Sequence, residues 1–391
     1  MLVRNLVAVM FALACCAAPA GARAPDPCVS AVGGSARVVD VSIPQRGGGS
    51  LAARLYAPDP SLQIAPCPCI AMLPGGGAGI SSVEWAALRL AREGYVVIIA
   101  QPASGGSAGS YDTAVRSAVD YLASPANPLR ASGDVARVGA SGWSLGARAL
   151  SRTQEDDVRL SAIVAWDNLA ISESGDAGSP ACTNLPGVIR VPRVPAMGQA
   201  SDGCANGPES KKTAFNAWRT AGVPAFQVVF AGSNHFWWSG SNTDAQASIA
   251  HFYTLAWFDR WLKHDPTALD RLLSGAPAGV PAATLLSSQF RSGAFLDGVN
   301  CDDLRARCRC SPADVATEGA PDPLAAGPDG FLTGADFDAF IQAFFSAARR
   351  PGPGAGFIAD IAGPVGQPGA DGFVTGADLD RFFAEFFAGC P

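Results

Sequence analysis

The chain has 391 residues, which is long for one domain, and 48% of them are apolar, enough for a sizeable core. Its 28 Lys and Arg against 34 Asp and Glu leave a net charge of −6. That balance argues against nucleic acid or an anionic membrane surface as a partner.

The first segment, 1–24, reads as an export leader. Arg4 supplies a positive start, LVAVMFALACCAAPA an apolar run too short to span a bilayer, and Ala22-Arg23-Ala24 a small-x-small cleavage site. A lipid anchor at Cys15 or Cys16 is the alternative, though the residues before either cysteine fit one poorly. No other segment is apolar enough to span a membrane. The expected location is secreted or cell-surface, where disulfides persist. Of the 11 cysteines, two fall in the leader and an odd number remains. Cys67 with Cys69 and Cys308 with Cys310 have one residue between them, a poor zinc spacing with no histidine nearby. They are read as disulfide partners, and Cys182–Cys204 and Cys310–Cys390 are the suggested pairings.

From 25 to 300 the pattern alternates. Residues 36–43 and 51–57 predict two strands joined by the turn Gly47-Gly48-Gly49. CIAML (69–73) is a strand, followed by a glycine loop at 75–79 and a helix near 83–93. YVVII (95–99) is a strand with a helix at 112–123 after it. ARVGAS (136–141) is a strand and Leu145 opens a helix. LSAIVAW (160–166) is a strand before a long loop. VPAMGQA (194–200) is a strand before a helix near 209–221. FQVVFA (226–231) is a strand before an amphipathic helix at 244–264. Strands apolar throughout, alternating with helices, predict an α/β domain with a mostly parallel sheet covered on both faces.

Within this pattern, Gly142-Trp143-Ser144-Leu145-Gly146 lies where strand passes to helix. That is the context of a nucleophile held on a strained turn, whose neighbours two residues away must be small. Ser144 is the candidate nucleophile. The amide of Leu145, at the helix N-terminus, and that of Gly76, in the loop LPGGGAG (73–79), are the candidate oxyanion donors. Of the three histidines, His235 follows the last strand, where a general base can reach the serine; His251 and His264 lie on the long helix and read as structural. Asp202, in the loop after 194–200, is the expected acid, and Asp167, after Trp166, is its rival. Trp143, Trp166, Phe236 and Trp237, with Trp238, would cluster around these residues and wall an apolar cleft, with core packing as the alternative.

Residues 51–263 resemble the bacterial cutinases and polyester hydrolases, in the dienelactone-hydrolase-like branch of the α/β-hydrolases. The resemblance rests on Pro74-Gly75, Ser81-Ser82 with Trp85, Gly94-Tyr95-Val96-Val97, Gly142 to Gly146, Trp166-Asp167, Asp202 and His235. It implies an α/β-hydrolase fold and a Ser144–His235–Asp202 triad. It also implies an oxyanion hole from Gly76 and Leu145, and contact between Trp166 and the acyl group. The family usually has an aromatic where Gly76 stands and glycines where Ala147-Arg148-Ala149 follow. The segments 165–169 and 256–273 look closer to a group of secreted hydrolases whose substrates the sequence does not name. The expected activity is a secreted serine esterase on an ester substrate, polymeric or not, with no catalytic metal or organic cofactor. The alternatives are a lipase or carbohydrate acetyl esterase, a peptidase, and a catalytically inactive scaffold.

Composition shifts after Asn300. DGFLTGADFDAFIQAFF (329–345) recurs as DGFVTGADLDRFFAEFF (371–387) across the linker RRPGPGAG, so 301–391 reads as a separate module. Asp329, Thr333 and Asp336, and Asp371, Thr375 and Asp378, fit the later half of a calcium loop, with Asp314 and Asp360 supplying the displaced first ligands. The module resembles a small helical dockerin. That resemblance implies Ca²⁺ binding and a cohesin-like or cell-surface partner. A metal-free helical pair packed through its phenylalanines is the alternative.

Overall fold

The computed structural model describes residues 28–103, 108–167, 169–170, 191–203, 207–240, 242–273, 285–296, 299–304, 334–347 and 376–388. Ten strands form one sheet: β1 (Arg37–Pro44), β2 (Ser50–Ala57), β3 (Cys67–Leu73), β4 (Val96–Ala100), β5 (Gly133–Trp143), β6 (Leu160–Trp166), β7 (Ala196–Ser201), β8 (Ala225–Phe230), β9 (Gly293–Leu296) and β10 (Val299–Cys301). Their spatial order is β1-β2-β4-β3-β5-β6-β7-β8-β9-β10. The middle of the sheet, β4 to β8, is parallel, and both edges are antiparallel. This architecture fits the α/β-hydrolase expectation.

Burial on both faces explains the apolar strands. Every residue of β3, β4, β7 and β8 is buried, and the core forms one cluster on each side of the sheet. The flanking helices are α1 (Glu84–Arg92), α2 (Ala108–Ala123), α3 (Leu145–Thr153), α4 (Thr213–Thr220), α5 (Asp244–Phe258) and α6 (Ala268–Leu273). The helix expected to run to 264 changes to a π-helical turn at Asp259–Lys263 and stops where His264 turns left-handed. At the start of α5, Thr243 accepts from the Gln246 amide and Gln246 accepts from the Thr243 amide, a capping box that fixes where this helix begins. Gly139 lets α5 lie close on β5: a Cβ there would sit 2.7 Å from the Phe258 ring. Strands β9 and β10 and helix α6 were not anticipated. Each is three to six residues long, too short for a periodicity to register.

The cysteine pairing differs from expectation. Cys67 bonds Cys28, and Cys69 is a free, buried thiol. Cys67 and Cys69 share a strand, whereas the segment bearing Cys28 is tied to it by Ile64 and Ala65 amides donating to the Cys28 carbonyl. Cys301 is also disulfide-bonded, to a partner outside the described residues. The suggested pairs Cys182–Cys204, Cys308–Cys310 and Cys310–Cys390 lie outside them too.

Two further helices, α7 (Gly334–Ala347) and α8 (Gly376–Ala388), arise from the repeat. They pack through phenylalanines: Phe340 stacks on Phe382 at 3.8 Å between centroids, and Phe337 meets Phe382, Phe383 and Phe386. Asp336 and Asp378 fall in the first turns of these helices. Asp314, Asp329, Thr333, Asp360, Asp371 and Thr375 lie outside the described residues. No group of three or more metal-binding side chains occurs among the described residues.

Candidate active site

Ser144 stands between β5 and α3 with φ 57° and ψ −118°, a conformation costly for any residue with a side chain. The glycines two residues away are required by contact. A Cβ on Gly142 would lie 2.8 Å from the Gly146 carbonyl carbon, and one on Gly146 would lie 2.7 Å from the Pro74 oxygen. The Ser144 amide donates to the Trp166 carbonyl at 3.1 Å, which prolongs the β5–β6 pairing to Ser144 itself.

The glycine loop after β3 comes down on this elbow. A Cβ on Gly75 would strike the Trp143 ring at 2.5 Å, and one on Gly76 would lie 2.9 Å from the Leu145 side chain. Gly76 and Leu145 therefore abut. Leu145 is the first residue of α3, so its N–H has no acceptor within the helix and points where the macrodipole favours negative charge.

His235 opens a 3-10 turn, His235–Trp238, after β8. Asn234 caps it, its side chain accepting from the Phe236 amide at 2.9 Å. The imidazole is one-quarter exposed. Its ring lies 5.3 Å from that of Trp143, and the Trp143 indole donates to the His235 carbonyl at 2.8 Å. The residue beside Ser144 thus holds the histidine in place. Among the described residues the Ser144 hydroxyl makes no hydrogen bond to the imidazole; such contacts often tighten only with substrate bound.

The carboxylate on His235 is Asp167, not Asp202. Nδ1 of His235 meets Oδ2 of Asp167 directly. Asp167 is buried, has φ 62°, and accepts from the Ser201 amide at 3.3 Å through its other oxygen. Its left-handed backbone turns the side chain across the ends of β6 and β7 toward the histidine. Asp202 has both oxygens engaged elsewhere. Oδ2 accepts from the Gly232 amide at 2.9 Å and Oδ1 accepts from the Ser287 hydroxyl, while the Asp202 amide donates to Ser233 Oγ at 3.0 Å. Asp202 thereby ties down the loop that leads into His235.

The aromatic residues separate. Phe236 is 60% exposed beside His235, with ring centroids 5.2 Å apart. Trp143 is nearly buried behind the histidine. Trp166 is fully buried, against the expectation that it contacts the acyl group: its indole donates to Thr254 Oγ1 at 3.1 Å and its ring packs on Trp85. Trp237 is buried on Phe230 and Trp238 is fully buried, so these two are core residues as well.

Three residues near the site carried no signal in the sequence. Lys211 donates to the Gly203 carbonyl at 2.6 Å and lies over the Phe290 ring. Burial pulls its ammonium below the usual lysine range, and Asp167 and Asp202 oppose that pull. Gln199 and Thr254, both fully buried, bond the indoles of Trp238 and Trp166. Lys211 sits in a polar run and the other two inside apolar segments, where nothing in the spacing sets them apart.

A family model described as PETase, PET hydrolase-like, matches residues 16–287. No curated protein matches the chain.

Proposed function

As the chain belongs to the PET hydrolase-like family, we propose that it is a serine hydrolase of carboxylic esters, acting through Ser144, His235 and Asp167. The observation that carries the reading is the strained elbow at Ser144, whose neighbour Trp143 packs on an imidazole that is itself paired with a buried carboxylate.

In this mechanism Ser144 Oγ attacks the ester carbonyl as His235 Nε2 accepts its proton. The N–H groups of Gly76 and Leu145 receive the developing oxyanion. Asp167 on Nδ1 fixes the tautomer that leaves Nε2 free to act as base, and it stabilises the imidazolium. The imidazolium returns the proton to the leaving alcohol. Water then attacks the acyl-serine by the same groups in reverse.

Exposed Phe236 beside the base suits an apolar or aromatic acyl group, which favours polyester-like esters over small acetylated sugars. The protein works outside the cytoplasm in this reading, supported by the leader and by the Cys28–Cys67 disulfide. The C-terminal repeat is read as a calcium-binding docking module; removing calcium from the full chain should then shift one melting transition, and an unchanged thermogram would contradict that role.

The direct test is labelling with a fluorophosphonate. Stoichiometric modification at Ser144, lost in His235→Ala, supports the mechanism. An unlabelled folded protein favours the inactive-scaffold alternative.

A further inference from the structure

Acid and base stand on different elements: Asp167 follows β6 at Trp166, and His235 begins the turn that ends at Trp238. Their separation must be held to a fraction of an ångström for the pair to act on Ser144. A fully buried hydrogen-bond chain connects these two elements.

Gln199, in the middle of β7, uses both ends of its amide. Oε1 accepts from the Trp238 indole at 2.9 Å, and Nε2 donates to Thr254 Oγ1 at 2.9 Å and to the Ala250 carbonyl at 3.0 Å. Thr254, on α5, accepts from the Trp166 indole at 3.1 Å and donates to the Ala250 carbonyl at 2.8 Å. Gln199, Thr254, Trp166 and Trp238 are all 0% exposed. Another indole secures the same turn: Trp85 donates to the Trp238 carbonyl at 3.1 Å while its ring packs 5.6 Å from that of Trp166.

We propose that Gln199 and Thr254 are positioning residues that set the distance between acid and base, by hydrogen-bonding the indoles of Trp166 and Trp238 from one buried point. Trp85 completes the frame from the α1 side. The frame would otherwise be an expensive way to fill a core. Five polar groups are buried there, and each needs its partner to avoid a desolvation penalty. Apolar side chains of similar size would pack the same space without that requirement, but would not fix the direction in which either indole points.

The inference rests on the proposed roles of His235 and Asp167, and its test separates the two. Turnover of p-nitrophenyl butyrate by the full chain is measured for wild type, Ser144→Ala, Thr254→Val, Thr254→Ser and Trp85→Phe. Thr254→Val keeps the shape and removes the acceptor of two N–H groups; Thr254→Ser keeps the oxygen. The expected result is a kcat loss of about tenfold to a hundredfold in Thr254→Val with KM little changed, and recovery of most of it in Thr254→Ser. Trp85→Phe keeps a ring on Trp166 at a part-exposed site, so it serves where Thr254→Val fails to fold. It should lower kcat by about threefold to tenfold, again without raising KM. Wild-type kcat in a folded Thr254→Val or in Trp85→Phe overturns the positioning role alone. Wild-type turnover that survives Ser144→Ala overturns the proposed mechanism and this inference with it.

Discussion

His235 Nδ1 is paired with Asp167 Oδ2, while Asp202, just past the end of β7, holds the Gly232 amide and the Ser287 hydroxyl instead. Two carboxylates therefore serve one histidine in different ways, one through its ring and one through its loop. Asp167→Asn should lower kcat/KM by about 10³- to 10⁴-fold, because an amide on Nδ1 favours the wrong tautomer. Asp202→Asn should cost about tenfold in rate, with a loss of about 1–3 kcal/mol in stability from weakened hydrogen bonds. Steady-state kinetics and denaturant melts of the two variants check this. A larger kinetic loss at Asp202 would mean that the imidazole turns to that carboxylate during turnover.

The elbow makes a steric prediction. Gly142→Ala and Gly146→Ala each place a methyl group under 3 Å from backbone atoms, where no side chain can yield. Each should destabilise the protein by about 1–3 kcal/mol and remove most activity, since relief of the clash must move Ser144. By contrast Gly77→Ala meets no atom within 4 Å and carries only the strain of φ 71°. It should melt lower but keep its kcat. Thermal melts beside ester turnover separate the two classes.

His251, on α5, predicts an acid-labile fold. Its Nδ1 is buried without a partner, and burial lowers its pKa from 6.5 to about 4, with Arg89 lowering it further and Asp259 opposing. Between these values the unfolded chain binds the proton and the folded chain does not. Stability from this group is thus complete above pH 6.5 and is lost as pH falls toward 4, by up to about 1.4 kcal/mol per pH unit. Melts across this range should show wild type falling faster than His251→Phe. Parallel curves would show that the histidine protonates freely in the native state.

The disulfide gives a stability prediction of different origin. Cys28–Cys67 closes a loop across a sequence separation of 39, which constrains the unfolded chain by roughly 4 kcal/mol. Cys28→Ser should lower the denaturant midpoint accordingly. Burial pushes the Cys69 thiol up to about 12 and hides it, so native protein should not react with iodoacetamide at Cys69 at neutral pH. Denaturant melts read the first point and mass spectrometry of alkylated peptides the second.

The parallel core was legible because strands such as VVIIA, buried on both faces, leave no polar alternation to misread. The elbow was legible because its two glycines flank a serine where strand passes to helix, although only the Gly142 contact is local; Gly146 is forced by Pro74 on a distant loop. The acid was not. Choosing Asp167 over Asp202 depends on the left-handed turn at Asp167 and on a serine 85 residues beyond Asp202, and neither leaves a local trace. Trp166 was misread for the same reason. An indole expected at a cleft wall is buried because Thr254, 88 residues away, supplies its acceptor. The disulfide likewise joins the segment before β1 to β3, not two cysteines of one strand.

The central claim is tested most directly by hydrolysis of p-nitrophenyl esters from acetate to laurate, by residues 25–391, beside their Ser144→Ala variant. The account predicts turnover by the wild type, none above background by the variant, and a preference among the esters that declares the acyl pocket. Equal rates in the two folded proteins would contradict it.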